Sequence, residues 1–190
     1  MSNPNSETDA RLVRQLARNV DETFEDLVRS HQDRLFSGIR RLVGDPDLAA
    51  DLSQDTFIRA YKALSDFPPS RIRQLKLQGW LWSIALNVVR SNARHQSRRP
   101  RQSQLSIEII ADARHQPETR ALNSTDEKWL RGELASLPNH QRNAVVLRYV
   151  GDLSYEEIAA ATKRPIGSVK SDVHRGLAIL ASQLKGNNQA

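Results

Sequence analysis

Apolar residues return every three or four positions through most of the chain and strand-like alternation is nearly absent, a pattern that predicts an all-α protein. In FEDLVRSHQDRLFSGIRRLVGD, Phe24, Leu27, Val28, Leu35, Ile39, Leu42 and Val43 form the buried stripe of a surface helix, and Gly44 is placed to end it. The next segment opens with Asp45 as an N-cap and Pro46 at the first helical position, where a missing amide costs least, and predicts a helix to about Leu64. Pro68 and Pro69 then exclude helix, and Arg71, Arg73 and Lys76 make the stretch up to Gly79 a basic loop. After Gly79, WLWSIALNVVRSNARHQSR is apolar on nearly every side as far as Arg90, which marks the central helix of a first unit whose basic end leaves the core.

From about Ser97 to Asn123 the chain is polar, contains Pro100 and Pro117, and keeps no period, so residues 98–123 read as a linker, with LSIEII as a short docked piece within it. The units it joins span residues 1–97 and 124–190. In the second, Ser124 or Thr125 caps a helix carrying Trp129, Leu130, Leu134 and Leu137; Pro138 begins the next helix and Gly151 ends it.

Ser154 with Glu157 three residues on is a capping box, with Leu153 packed just ahead of it. The helix that follows ends near Thr162 to Arg164, and another starts between Pro165 and Gly167, the spacing of a helix-turn-helix. At about 100° per residue, Val169, Val173, Leu177 and Leu180 face inward. Ser168, Ser171, His174 and Arg175 face out, with Lys170 and Asp172 on opposite flanks. Such a face belongs either to an ordinary solvated hairpin or to a DNA reader, and the capping, the Ala-rich first helix and the polar outer face favour the reader.

Charge adds a distribution to this. Lys and Arg number 28 against 22 Asp and Glu. Residues 1–95 hold 14 basic and 12 acidic side chains, so neither half is a purely cationic arm and each can meet both DNA and protein. The absence of cysteine excludes disulfides and thiolate metal sites and points to a reducing, cytoplasmic setting. No apolar run approaches the ~20 residues of a membrane helix, and MSNPNSETDARL lacks the parts of a signal peptide. His31, His95, His115, His140 and His174 are scattered without metal-ligand spacing and no glycine-rich phosphate loop occurs, so neither catalysis nor a cofactor is expected.

The segment SLPNHQRNAVVLRYVGDLSYEEIAAATKRPIGSVKSDVHRGLAIL resembles region four of bacterial RNA polymerase sigma factors, in particular the extracytoplasmic-function group. DLSQDTFIRAYKAL resembles the part of region two that holds the polymerase clamp, and GWLWSIALNVVRSNAR its promoter-melting part. The resemblance implies a dissociable subunit that binds core RNA polymerase, chooses promoter DNA and helps to open it, usually under an anti-sigma factor. It places Asp47, Asp51, Gln54, Asp55, Phe57 and Ile58 against the beta-prime clamp helices, and region four against the beta flap. It gives Asn87 to a flipped base of the minus-ten element beside Phe67 and Trp80, and Arg90 and Arg94, with Arg98 and Arg99, to phosphates. It gives Ser168, Lys170, Ser171, His174 and Arg175 to the minus-thirty-five element.

Three points stay open on the residues alone. Asn87 lies in an apolar run where a buried amide must find partners, either backbone groups or a base. Asp172 stands where the family often carries a basic residue, and either orients Arg175, accepts from a cytosine amino group, or repels a phosphate path. A stand-alone helix-turn-helix regulator, with residues 1–95 sensing or dimerising, is the competing reading.

Overall fold

The computed structural model describes residues 4–98 and 124–187. The linker, including LSIEII and Arg99, lies outside them, as does the side chain of Arg98. Nine helices and no strand occur among the described residues: α1 (Pro4–Leu16), α2 (Val20–Val43), α3 (Pro46–Asp66), α4 (Pro69–Ile72), α5 (Leu77–Arg98), α6 (Ser124–Ser136), α7 (Asn139–Tyr149), α8 (Tyr155–Thr162) and α9 (Ile166–Asn187).

Three helices make the body of the first unit. Asn19 caps α2 by accepting from the Glu22 amide at 3.3 Å, and Gly44 ends it with φ 79°. Asp45 caps α3 through the amides of Asp47 (2.9 Å) and Leu48 (3.1 Å), with Pro46 in its first turn. Each cap satisfies amides that have no partner inside the helix. The stripes they orient bury Leu27, Leu35, Ile39 and Leu42 of α2 and Leu52, Phe57, Ala60 and Leu64 of α3. Through the middle runs α5, whose Trp82 is 2% exposed. Its ring lies against Gly38 of α2, where any Cβ would overlap it; the glycine is the notch into which the indole fits.

The basic loop is more ordered than the prolines suggest. Pro69 occupies the first turn of the four-residue α4, because a proline at that position removes only an amide that has no helical acceptor. The exclusion of helix after Pro68 is corrected to that extent, and α5 begins at Leu77 rather than after Gly79. The sequence reading also omitted α1. Its large apolar residues, Leu12, Val13 and Leu16, crowd into little more than one turn, too few for a periodic signal yet all buried, as is Ala17 just beyond. An Asp9 carboxylate oxygen 3.1 Å from His31 Nε2 ties α1 to α2, while His31 Nδ1 lies 3.0 Å from the Leu27 carbonyl.

In the second unit α7 and α9 pack most closely, and Gly176 of α9 meets Val145 where a side chain would collide. The two units also pack directly on one another. Gln78 Nε2 donates to the Gly151 carbonyl, Arg142 Nη1 donates to the Leu42 carbonyl at 3.3 Å, and Arg34 lies 3.9 Å from Asp152. The edge of the Trp82 ring comes up beneath Gly151.

Because the notch at Gly38 has no slack, Gly38→Ala should overpack the core and cost about 1–3 kcal/mol. Urea unfolding of the purified chain reads this as a lower midpoint at unchanged m-value.

Candidate nucleic-acid interface

The reading helix is mounted by local chemistry. Glu157 Oε2 accepts from the Ser154 amide at 2.9 Å while Ser154 Oγ accepts from the Glu157 amide at 3.2 Å, the reciprocal pair of a capping box. Lys163 adopts the left-handed conformation (φ 56°, ψ 44°), which turns the chain sharply from α8 into α9. Val169 and Val173 are buried beneath α9 and Leu180 is packed at the core's margin. Leu177 is not inward, being 37% exposed.

On the outer side Lys170, Ser171, His174 and Arg175 are exposed and share one shallow concavity with Tyr155, while Ser168 is half-buried. The Lys170 ammonium lies 5.7 Å, and the Arg148 guanidinium 5.3 Å, from the Tyr155 ring centroid. Tyr155 escaped the sequence reading; its signal was an aromatic directly after the N-cap, on the same side as Lys170. Together these residues present donors that match base edges and phosphates.

Asp172 takes none of the three roles open to it. It is 4% exposed and accepts from Arg164 Nη1, with His140 Nε2 3.6 Å from its other oxygen. The flank it occupies faces the inter-helix turn, because the left-handed Lys163 brings Arg164 back over the start of α9. The acid therefore straps the inter-helix turn to α9 from below through Arg164, with His140 of α7 close by.

A second candidate face lies on the first unit. Phe67 and Trp80 are half-buried with ring centroids 6.1 Å apart and planes inclined at 56°, and the Arg71 guanidinium sits 3.7 Å over the Phe67 ring. Trp80, Asn87 and Arg94 are spaced by seven residues on α5, so they share one face. Trp82, two residues further along α5, is core. Asn87 is exposed, which corrects the expectation of a buried amide: the apolar run surrounds it in sequence, but its own face of the helix is open. Arg90 is half-buried and Arg94 exposed.

A third feature is apolar. Phe24, Val28 and Phe36 of α2 with Phe57, Ile58 and Tyr61 of α3 line a groove of about 590 Å³, rimmed by Gln54, Asp33 and Lys62. Ile58 is 46% exposed, and Phe57 forms the floor. Asp47, Asp51 and Asp55 lie on α3 outside this lining, Asp47 and Asp51 exposed and Asp55 accepting from Arg59 at 2.9 Å. The family resemblance picked out the α3 half of the groove; the α2 half was read as ordinary core. Among the described residues no His, Asp and Glu group is arranged to hold a metal, and no helix is long and apolar enough to cross a membrane.

Arg164→Ala leaves Asp172 buried beside His140 alone and should cost about 1–3 kcal/mol, less than a fully buried pair because Arg164 is partly exposed. In thermal unfolding of Arg164→Ala, Asp172→Ala and the double variant, the double should lose less than the sum of the two single losses; additive losses would mean that the strap contributes nothing.

Comparison with known proteins fits both halves. Residues 27–99 match the Sigma-70 region 2 model and residues 127–180 the Sigma-70 region 4 model. The chain is 30% identical to the RNA polymerase sigma-H factor of Pseudomonas aeruginosa over 89% of this chain and 90% of that protein. It is 31% identical to the ECF RNA polymerase sigma-E factor of Escherichia coli over 88% and 90%. Among solved structures, the sigma factor RpoE of Bartonella quintana, crystallised with the anti-sigma factor NepR, superposes with a TM-score of 0.68 at 29% identity, covering 85% of this chain and 96% of that one. A region-two match leaves no place for a sensing or dimerising first half, and the chain belongs to the sigma-70 family of RNA polymerase sigma factors, within its ECF group.

Proposed function

We propose a division of labour for this sigma factor in which three faces of one chain act on three targets. As a member of its family the chain binds core RNA polymerase, directs it to specific promoters and helps to open the DNA. The observation that carries the residue-level reading is the exposed row Lys170, Ser171, His174 and Arg175 on the second helix of the helix-turn-helix, in a chain that also keeps an open apolar groove.

Arg175 reads a guanine of the minus-thirty-five element through two parallel hydrogen bonds, a contact worth about 1–3 kcal/mol of discrimination. Ser171 and His174 tune neighbouring bases, while Lys170 and Ser168 contact the backbone. Separating the strands costs a few kcal/mol per unstacked base. Stacking on an aromatic platform returns about 1–3 kcal/mol per base. Phe67 and Trp80 with Arg71 supply that platform, Asn87 bonds the displaced minus-ten base, and Arg90 and Arg94 hold phosphates. The groove between α2 and α3 takes the beta-prime clamp helices, with Gln54, Phe57 and Ile58 inside it and Asp47, Asp51 and Asp55 meeting cations at its margin; region four meets the beta flap. An anti-sigma factor, as accompanies the Bartonella relative, controls access to these surfaces. The working boundaries are residues 1–97 for region two and 124–190 for region four, and the setting is the cytoplasm.

Run-off transcription with core enzyme and a genomic fragment library tests the reading and returns the promoter. On that promoter, Arg175→Ala should relax one upstream position by about 1–3 kcal/mol in a competition assay and leave core binding intact; equal loss of core binding contradicts the assignment. Ile58→Glu puts a charge into the groove and should weaken core binding by about 2 kcal/mol or more, seen as lost comigration with core polymerase on a native gel.

A further inference from the structure

Beside the seam where Gln78 meets Gly151, the two units border a polar cleft of about 750 Å³. Four cations line it: Arg14 from α1, Arg73 and Lys76 from the turn ahead of α5, and Arg148 from α7. Three acids line it as well, and each is engaged by a group of this chain. Asp9 lies 3.1 Å from His31 Nε2, Asp152 lies 3.9 Å from Arg34, and Glu157 accepts from the Ser154 amide at 2.9 Å. The cations are far less occupied. Arg148 Nη1 donates to the Leu153 carbonyl at 2.8 Å, whereas the side chains of Arg14, Arg73 and Lys76 make no hydrogen bond or ion pair among the described residues.

This arrangement does nothing for folding. Arg14, Arg73 and Lys76 are exposed, so neutral polar side chains would serve the fold equally well, and like charges gathered on one cleft repel. The start of α5 adds to the positive field, since Lys76 and Leu77 both line the cleft and the first turn of the helix carries no acid. What the cleft lacks is a multiply charged anion. A carboxylate reaches one or two of its walls, while a run of phosphates brings several charges and many acceptor oxygens within a few ångström. The volume falls in the range of about 300–1,000 Å³ usual for small-molecule sites. Ala10, Val13 and Leu75 set apolar surface beside the cations, where a heterocycle can lie. Neither Phe67 nor Trp80 lines the cleft, and it shares no residue with the α9 concavity or the groove between α2 and α3.

We propose that this cleft binds a polyphosphate anion, as carried by a nucleoside triphosphate or by inorganic tripolyphosphate. Arg14, Arg73 and Lys76 hold the phosphates, and Arg148 supplies charge from region four. The site is independent of the base and clamp assignments above, and it gives the free factor a small-molecule input distinct from promoter and polymerase.

Isothermal titration calorimetry of the full chain with ATP, and separately with sodium tripolyphosphate, tests this. Both should bind with 1:1 stoichiometry. Arg14→Ala and Arg73→Ala should each weaken binding by about tenfold, the loss of one hydrogen bond to a charged group. Arg29→Ala removes an exposed cation of α2 outside the cleft and should change nothing. ATP binding more tightly than tripolyphosphate assigns the apolar wall to the base, and equal affinities assign the site to the phosphates alone; either upholds the proposal. No heat of binding up to about 1 mM of either probe overturns it. So does equal affinity in the Arg14→Ala and Arg73→Ala chains, or an equal loss in Arg29→Ala, which would mean general attraction to a basic protein. Comigration of each variant with core polymerase on a native gel shows that the chain is still folded. A parent chain that binds ATP but not core would strike instead at the sigma-factor reading.

Discussion

The fold turns on one indole. Trp82 is the widest fully buried side chain, and it can be buried only because Gly38 leaves a notch in α2 for its ring. That contact brings α2 and α5 into close approach at the centre of the first unit. The far edge of the same ring carries Gly151 of region four. A large aromatic in a tight notch gives little under load, since interiors packed this densely transmit displacement rather than absorb it. The seam is therefore as well positioned as the core itself, although it is held by few bonds.

Charge is arranged around this rigid centre by function rather than by unit. The apolar groove is bordered by Asp33 and lies on the helix carrying Asp47, Asp51 and Asp55, whereas the aromatic platform and the reading row carry cations. On the proposed assignment this explains why the net excess of basic residues is modest in a DNA-binding protein: one surface attracts phosphate and another meets a basic protein partner.

Much of this was legible in the sequence, and the exceptions share a cause. Caps are local, so Asp45, Gly44 and the Ser154–Glu157 box could be read from spacing alone. Periodicity located α2, α3, α5 and α9 because each carries a long apolar stripe. It missed α1, whose apolar residues fill barely two turns. Asn87 and Asp172 were misread for opposite versions of one reason, that burial belongs to a residue's face and not to its neighbours in sequence. Asn87 sits in an apolar run but on the open side of α5, and Asp172 sits in a polar run but against the turn. The α2 half of the groove and the seam depend on pairings far apart in sequence, which no local pattern encodes.

The strap beneath the reading helix carries a consequence for how such a protein diversifies. Arg164 and Asp172, with His140 close by, fix α9 from the side opposite its exposed row, so the attachment of the helix does not depend on Ser171, His174 and Arg175. Ser171, His174 and Arg175 can then be exchanged one at a time while the mounting stays intact. Duplicated copies of such a gene are free to drift toward new regulons through a few surface codons, each intermediate still folded and still able to serve the polymerase.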